Sequence, residues 1–537
     1  MGCAQLRHPA RVRGGMSAKV RALSAVTVST QDALLLDVVH RVREIVHVVR
    51  LPDGGISAMV GDPQSLPVIG VLPPLYPEWL GDRSFTEAHG LRFPYVVGEM
   101  ANGIATTEMV IALGRAGMLG MFGAAGLPPD RIASAITAIG AALPGPGAWG
   151  INLIHAPQAP GLEQAVADLL IAHRVGVVSV SAFMDLTPTV VQVAASGLRT
   201  GAGGEIVRAR RLIAKVSRPE VAAKFMAPPP RAMLDGLVAS GRLAPAEADL
   251  ASRLPVVQDI TVEADSGGHT DNRPLLALLP RMLDLAATAQ AAHGHAVRCG
   301  AAGGLGTPQG IAGAFAAGAA YVLTGSVNQT CVEAGVSADA KAMLAQADIA
   351  DVMMAAASDM FELGVKVQVL RRGTLFGQRA NQLFAVYRDH ASLDDVAPER
   401  RAQLERSVLG ASIEDVWAQT CRYWADRDPA ELARADADPK HRMALVFRWY
   451  LGRSSWWAIE GDVARRTDYQ LWCGPATGAF NAWVRGSFLA DPAARDVVQV
   501  ARNLLEGAAV VTRAQQLRSW GVPVPAAAFN FVPRRLE

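Results

Sequence analysis

The sequence predicts an α/β protein, a (β/α)8 barrel with a large added helical domain. From about residue 93, short apolar runs alternate with helix-like segments, and about eight such units fit into residues 93–335. The runs are apolar throughout, which is typical of parallel strands that are covered by helices. A barrel of this kind takes roughly 250 residues. An open, doubly wound sheet remains the alternative, because a strand count alone does not exclude it.

Residues 1–92 are predicted to form an N-terminal arm and a hairpin. Residues 1–30 have the composition of a loose arm, and a helix is expected from residue 31. The runs "VVHVVRL" and "ISAMV" flank Pro52-Asp53-Gly54-Gly55, a sequence that favours a tight turn. The next stretch, "PVIGVLPPLYPEWLGDRSF", is rich in proline and is interpreted as irregular.

The barrel is assigned to residues 93–335. Its predicted strands are, in chain order, YVVGEM, GMLGMFG, AWGINLI, VGVVSVSAF, LIAKVS, VVQDITVEA, AVRCGAA and YVLTGS. The sixth is expected to be a buried strand from Leu254 to Val262. The segments between the strands carry the spacing of apolar residues that is typical of helices, such as PDRIASAITAIGAAL and LEQAVADLLIAH.

Residues 336–537 are predicted to form a helical domain. Its helical segments include DIADVMMAAASDMFELG and APERRAQLERSVLGASIEDVWAQTCRYWADRD. Two segments rich in aromatic residues, 445–461 and 468–489, are interpreted either as core or as the lining of a channel for an acyl chain.

Composition excludes several classes of partner. The chain has 51 basic and 49 acidic residues, which argues against nucleic-acid binding. Its apolar stretches are too interrupted to span a bilayer, so no membrane partner is expected. The five cysteines have no CxxC spacing, so neither a metal site nor disulfides are predicted, and a cytoplasmic location is expected.

Functional groups in a parallel barrel gather where the strands end, because the βα loops share one face. The residues found at the predicted strand ends are Met100, Ala101, Asn102, Asn152, Lys215, Gly267, Gly268, His269, Ala302, Gly303, Gly304, Gly325 and Ser326. Small residues at several of these ends leave room for a flat ligand across the mouth of the barrel.

The ends of the seventh and eighth strands favour a phosphate site. Glycines after two consecutive strands expose backbone N–H groups to an anion, and these two loops commonly bind phosphate in such barrels. A dinucleotide fingerprint starting at Gly304 fails, because position 309 is Gln. The alternative is that these glycines only permit tight turns.

His269 and Lys215 are the candidate chemical groups. An imidazole at the end of the sixth strand can hydrogen-bond a carbonyl or transfer a proton near neutral pH. Asp265 and Asp271 are candidate partners for it, either orienting the ring or capping the next helix at Asn272. Lys215 is expected to point inward toward an anionic cofactor, the alternative being an edge or outward position.

Motifs along most of the chain resemble a known family. They include "EMANGIATTEMVIALGRAGMLGMFGAAGL", "SVSAFMDLTP", "EADSGGHTDNRPL", "AAGGLGTP", "DMFELGVKVQVLRRGTLF" and "ALVFRWYLG". Together they resemble the PfaD family, the trans-acting enoyl reductases of polyunsaturated fatty acid and trans-acyltransferase polyketide synthases. The barrel part is more distantly similar to nitronate monooxygenases.

The resemblance implies an FMN-binding barrel that uses NADPH to reduce an α,β-unsaturated thioester on an acyl carrier protein, within a synthase complex. It also implies that the helical domain, residues 336–537, faces the substrate and its carrier. Lys440 and Arg442 then either meet an acidic carrier protein or belong to a solvated face.

The resemblance implies that the FMN phosphate lies on Gly303, Gly304, Gly325 and Ser326, with Gly268 and Ala302 nearby. The flavin ring would lie near Met100, Ala101, Asn102, Asn152 and Lys215. His269 matches the histidine that stands over the flavin in the wider superfamily, so it is the candidate catalytic residue.

Two other functions stay open on the sequence alone. One is a nitronate monooxygenase-type flavin oxidase, and the other is a non-catalytic docking partner of a synthase. The glycines at two successive strand ends argue against the docking partner, because a scaffold needs no anion site.

Overall fold

The computed structural model describes residues 30–145, 147–157, 159–425 and 427–537. The predicted arm, residues 1–29, lies outside the described residues. The chain forms two compact units, one of residues 1–74 with 516–528 and the other of residues 75–515 with 529–537. The second unit holds both the barrel and the helical segments, so the predicted division at 92/93 and 335/336 remains a prediction.

The first unit contains a helix and a three-stranded antiparallel sheet. The elements are α1 (Thr30–His40), β1 (Val46–Arg50), β2 (Ile56–Val60) and β3 (Val68–Leu72), with the sheet order β2-β1-β3. The predicted hairpin is present as β1 and β2. The interpretation of the following segment as irregular was wrong for β3, which pairs with the free side of β1. Its strand character depends on that pairing and is masked by the surrounding prolines.

The second unit is built on a closed barrel of eight parallel strands, which confirms the predicted fold class. The barrel strands are β4 (Tyr95–Val97), β5 (Leu119–Phe122), β6 (Trp149–Ile154), β7 (Val177–Ser181), β10 (Arg211–Val216), β11 (Asp259–Glu263), β13 (Arg298–Ala302) and β14 (Val322–Thr324). Between them, β8 (Arg199–Thr200) and β9 (Ile206–Val207) form a small separate ribbon. The sixth barrel strand begins at Asp259 and not at the predicted Leu254, because residues 252–258 form a turn and a loop.

Helices connect the strands along the chain. They are α2 (Arg83–His89), α3 (Thr107–Arg115), α4 (Pro129–Ala142), α5 (Pro160–Ala172), α6 (Pro188–Ala195), α7 (Pro219–Phe225), α8 (Arg231–Ala239), α9 (Pro245–Ala251), α10 (Leu275–His293), α11 (Pro308–Ala316) and α12 (Ala338–Ala345). By length and composition alone, α10 could cross a membrane, but here it packs against β11, β13 and α7.

Helix α2 closes the amino end of the barrel. Its Phe85 stacks on Tyr321, with ring centroids 4.1 Å apart. The Nε2 atom of His89 lies 2.9 Å from Asp259, which also accepts two hydrogen bonds from Arg298. Asp259 and Arg298 are the first residues of β11 and β13, so this buried cluster fixes the end of the barrel opposite the strand tips.

The rest of the second unit is mainly helical. Its helices are α13 (Phe376–Asp389), α14 (Pro398–Leu404), α15 (Ile413–Ala425), α16 (Pro429–Ala437), α17 (Pro439–Glu460), α18 (Pro475–Val484) and α19 (Val497–Ser519), with a π-helical turn at Glu405–Leu409. The last residues of α19, from Gln516, belong to the first unit.

The segment DIADVMMAAASDMFELG was predicted to be helical, and that prediction was wrong. Residues in and after it form a hairpin of β15 (Val352–Ala356) and β16 (Lys366–Leu370). A two-residue strand after the sixth barrel strand, β12 (Gly268–His269), pairs antiparallel with β16 and completes a three-stranded sheet. The pairing of β15 with β16, whose sequence "KVQVL" is rich in β-branched residues, overrides the helical preference of the Met and Ala residues of β15.

Candidate active site

A cavity of about 2050 Å³ opens at the carboxyl ends of the barrel strands. Single-ligand sites usually measure about 300–1,000 Å³, so this cavity has room for more than one ligand. Its walls come from the strand ends, the β15–β16 hairpin, α15 and α17. All the predicted site residues line it, namely Met100, Ala101, Asn102, Asn152, Lys215, Gly268, His269, Ala302, Gly303, Gly304, Gly325 and Ser326.

The ends of β13 and β14 present an unpaired set of backbone donors. Among the described residues, no acceptor in the protein is hydrogen-bonded to the N–H groups of Gly303, Gly304, Gly325 or Ser326. Ser326 also begins a 3₁₀ turn, Ser326–Thr330. Backbone N–H groups that converge without partners form a binding site for an anion.

The glycines of this set leave space for the ligand. Gly303 and Gly304 have φ of +84° and +72°, where a residue with a Cβ is strained. A Cβ at Gly303 would meet the Ala264 carbonyl carbon at 2.6 Å, whereas one at Gly304 or Gly325 meets nothing within 4 Å. The space beside the last two residues is therefore open, and both residues line the cavity.

The loop after β5 is hydrogen-bonded both to the residues after β4 and to Asn152 of β6. Asn102 has φ of +59°, and its N–H donates to the carbonyl oxygen of Ala125 at 2.7 Å. The Asn152 side chain is buried, and its Oδ1 accepts from the N–H groups of Ala124 and Ala125 at 2.8 and 3.3 Å. Asn152 thus fixes the loop after β5 with its oxygen, beside the residues predicted to meet a flavin ring.

Lys215 points into the barrel mouth, so the alternative of an edge or outward position is wrong. Its Nζ lies 3.2 Å from Glu99 and 3.4 Å from Glu263, and all three side chains are largely buried. Burial alone lowers the pKa of Lys215, but the two carboxylates outweigh it and leave the pKa raised. Lys215 is therefore charged.

The turn that carries His269 is fixed by the hairpin. Gly268 and His269 lie opposite Gln368 and Val367 in the β12–β16 ladder. A Cβ at Gly267 would meet Ser326 Oγ at 2.6 Å and the Cys473 nitrogen at 2.9 Å, and Gly268 has φ of +85°. The two glycines thus permit the close approach and the backbone turn that place the imidazole in the cavity.

The partner of His269 is Asp359, on the loop of the β15–β16 hairpin. The imidazole Nε2 lies 3.1 Å from Asp359 Oδ1, and the side chain of His269 is 34% exposed. Burial lowers the pKa of His269, but the Asp359 carboxylate raises it more, so the net pKa is raised. The ring therefore keeps its proton to higher pH than a free histidine does.

The two predicted partners of His269, Asp265 and Asp271, form hydrogen bonds with other side chains instead. Asp271 accepts hydrogen bonds from Arg218 and from Ser217. Asp265 accepts from Asn272 and from Gln368, at 2.9 and 2.7 Å. Both carboxylates brace the turn, while the charge beside the imidazole comes from a hairpin that is distant in sequence.

Sequence reasoning missed four residues of the cavity wall. Asp359 lay in a segment predicted as helix, so nothing marked it. His155, Glu99 and Glu263 also line the cavity. They lie at or next to the ends of β6, β4 and β11, so the strand-end rule could have found them.

Near the cavity, burial raises the pKa of Cys473 to about 12, which makes it a poor nucleophile.

The helical part contributes one wall of the cavity, while its predicted docking cations contact other residues of the chain. Lys440 donates to the carbonyl oxygens of Tyr387 and His390. The Arg442 guanidinium lies 4.6 Å from the ring centroid of Trp417. Lys440 is therefore engaged within the chain, whereas Arg442 is exposed and its contact with a carrier protein stays a prediction.

Comparison with family models identifies two matching regions. A model described as nitronate monooxygenase matches residues 83–391. A model described as the inserted helical domain of [acyl-carrier-protein] S-malonyltransferase matches residues 390–469. The second range includes α14 to α17 and so contains α15 and α17, two of the helices that line the cavity.

Similar proteins occur in synthases. The chain is 44% identical over 450 residues to a component of the polyunsaturated fatty acid synthase of Thraustochytrium sp., covering 82% of this chain and 30% of that protein. It is 41% identical over 436 residues to polyketide biosynthesis protein PksE of Bacillus subtilis, covering 81% of this chain and 56% of that protein. The chain thus spans from under a third to just over half of the length of these two relatives.

A solved structure is also similar. It is the enoyl reductase domain of MlnA from the macrolactin biosynthesis cluster of Bacillus amyloliquefaciens. The sequence identity is 36% and the TM-score is 0.78. The alignment covers 82% of this chain and 99% of that domain.

Proposed function

Because this chain belongs to the nitronate monooxygenase family and, within it, to the PfaD-type trans-acting enoyl reductases, we propose that it saturates the double bond of α,β-unsaturated acyl thioesters. The cofactor is FMN, the reductant is NADPH, and the substrate is attached to an acyl carrier protein of a polyketide or polyunsaturated fatty acid synthase. One observation carries the proposal. Unpaired amide donors and a proton-bearing imidazole line the same cavity, at the end of the barrel where such enzymes react.

The residues at the ends of β13 and β14 fit the phosphate of FMN. A phosphate accepts several hydrogen bonds, and Gly303, Gly304, Gly325 and Ser326 offer four unpaired N–H groups, with open space beside Gly304 and Gly325. A bound FMN supplies hydride transfer, from NADPH to the flavin and then to the β-carbon of the thioester. The protein supplies binding, orientation and the proton.

The cluster around Lys215 suits the ring of a flavin. An ammonium group has three donors, and the two carboxylates account for two of them, which leaves one for an acceptor on the ring. Met100, Ala101 and Ala302 add small or flexible apolar surface from neighbouring strand ends. We assign them to contact with the cofactor, while Asn152 holds the loop behind it.

His269 is the proposed source of the proton. Saturation adds a hydride at the β-carbon and a proton at the α-carbon, so the enzyme needs a group that is protonated near neutral pH. Asp359 raises the pKa of His269 and so provides such a group at the cavity wall. Alternatively, the imidazole of His269 donates a hydrogen bond to the thioester carbonyl and stabilises the negative charge that develops on its oxygen.

The proposal is tested anaerobically with the flavin-loaded protein. We expect NADPH to bleach the visible absorbance of the flavin and an enoyl-pantetheine thioester to restore it without oxygen. The alternative, a nitronate monooxygenase-type oxidase, predicts that only a nitronate with oxygen is turned over. A protein that purifies without flavin and does not bind added FMN would contradict both functions and favour a docking role.

His269 is tested in the same assay. We expect His269→Ala to keep the bleaching by NADPH and to slow the return of colour with the enoyl thioester. Unchanged reoxidation in this variant would remove His269 from the reaction.

A further inference from the structure

One face of α17 lines the cavity along most of the helix. The lining residues follow each other at intervals of one to four positions along a broad side of the helix: Leu445, Arg448, Trp449, Leu451, Gly452, Arg453, Ser455, Trp456 and Glu460. At 1.5 Å per residue, the distance from Leu445 to Glu460 along the axis is about 22 Å. The cavity is therefore elongated along this helix and reaches well beyond the strand ends.

A trough lies between two indole side chains on this face. Gly452 stands one turn from Trp449 and one turn from Trp456, and a Cβ built on it meets only Ser358 Oγ, at 3.7 Å. Glycine is among the least favourable residues inside a helix, and here it leaves a gap between the two rings. The Trp449 ring packs edge-on against Trp457, with centroids 5.9 Å apart, which holds that side of the trough.

The trough continues into the proposed reaction site. Ser455, on α17, accepts a hydrogen bond of 3.2 Å from Asn102 Nδ2 at the end of β4. Arg448 donates to Glu362 at 3.1 Å, and Glu362 lies on the hairpin loop that also carries Asp359. The helix face is thus anchored to the barrel mouth on one side and to the partner of His269 on the other.

The charges on this face are balanced. Arg448 is paired with Glu362, and Arg453 lies 3.9 Å from Glu460. Helix α15, which packs against α17, adds the aromatic rings of Tyr423 and Trp424. Arg427, beside these rings, donates to the hydroxyl of Tyr423. An aromatic trough whose cations are already engaged within the chain favours an apolar chain over a phosphorylated ligand.

We infer that the Trp449–Gly452–Trp456 trough binds the hydrocarbon chain of the acyl thioester, and so makes the enzyme selective for long acyl chains. The inference rests on the proposed function and adds the class of substrate. Each methylene that enters the trough should strengthen binding about fourfold until the trough is full.

The test is to fill the trough with Gly452→Leu. Leucine has a higher helix propensity than glycine, so the change does not weaken α17 itself. The matched control is Gly236→Leu, at an exposed site on α8 where a Cβ meets nothing within 4 Å. Both variants are loaded with FMN and assayed with trans-2-enoyl-pantetheine thioesters of four to sixteen carbons.

We expect kcat/KM of the wild type and of Gly236→Leu to rise with chain length. In Gly452→Leu that rise should disappear, with a loss of about tenfold or more for the longest chains. The shortest thioester and the KM for NADPH should be unaffected. A rise with chain length that persists in Gly452→Leu, or an equal loss at every length, overturns the inference, and so does a changed KM for NADPH alone.

Binding separates this inference from the proposed function. Saturated acyl-pantetheine thioesters, titrated by quenching of tryptophan fluorescence, should bind more tightly as they lengthen, and Gly452→Leu should abolish the trend. Length-dependent binding without turnover of any enoyl thioester would support the trough and contradict the reductase. Turnover with length-independent binding would support the reductase and overturn the trough.

Discussion

Replacing Asp359 by Asn tests whether the hairpin tunes the imidazole. The raised pKa of His269 keeps the ring protonated as the pH rises, and activity that needs this proton is lost as pH passes through that pKa. The variant keeps a hydrogen-bonding side chain but removes the charge. We therefore expect the loss of activity to begin at lower pH in Asp359→Asn than in the wild type.

The size of the effect follows from the geometry. Two charges about 4 Å apart interact by about 1 kcal/mol in water and by about 4 kcal/mol at the surface of a protein. The side chains of His269 and Asp359 are 34% and 48% exposed, so solvent screening favours the lower figure. About 1 kcal/mol lowers the protonated fraction of His269, and with it kcat/KM for the enoyl thioester, by up to about fivefold at pH above the wild-type pKa and by less at lower pH.

The assay is the pH dependence of kcat/KM with the flavin-loaded enzyme. Asp271→Asn is the control, because Asp271 is bound to Arg218 and Ser217 and should not set the pH at which activity falls. The reasoning is refuted if Asp359→Asn leaves the profile where it is, or if Asp271→Asn shifts it equally.

Two further changes test the anion site and the base of the barrel. Gly304→Ala should weaken FMN binding to the apoprotein about tenfold or more, since it adds a methyl group beside the unpaired amides. The control is Gly241→Ala, because Gly241 has a similar φ of +69° and equally open space, so the change carries the same backbone cost of about 1–2 kcal/mol. The control should bind FMN normally. Equal losses of FMN affinity in the two variants would contradict the anion site. Asp259→Asn should lower the free energy of unfolding in urea by about 3–5 kcal/mol, because it leaves His89 and Arg298 facing a neutral amide. The pKa of Asp259 is lowered in the folded state, so its contribution to stability is present above its unfolded pKa and is lost as the pH falls through its folded pKa. The variant should therefore lose less stability in acid than the wild type does. Equal stability of the two proteins at neutral pH, or equal loss of stability in acid, would be evidence against this role.

The sequence was sufficient for the barrel because local signals and tertiary structure agree there. Each strand is short, apolar throughout and followed by polar or small residues, and the carboxyl ends of parallel strands in a closed barrel share one face. This rule alone brings Lys215, His269 and Gly304 into one cavity. The rule applies whatever the packing of the surrounding helices.

The hairpin could not be predicted in this way. Its first strand, Val352–Ala356, contains two methionines and two alanines, which favour a helix when considered alone. Its strand character depends on pairing with Lys366–Leu370, and its position depends on the pairing of that strand with Gly268 and His269. The neighbouring acids of His269 in sequence, Asp265 and Asp271, were the wrong candidates because backbone pairing brings in a residue 90 positions away.

The pairing of Gly268-His269 with the hairpin also limits how relatives can exchange parts. A chimaera joined at 335/336, with the barrel from one protein and the helices from another, takes the imidazole from one parent and its carboxylate from the other. Three adjacent strands would then have to recognise each other across a foreign junction. Recombination that succeeds should therefore keep residues 268–269 and 352–370 from the same ancestor, and the two stretches should diverge together.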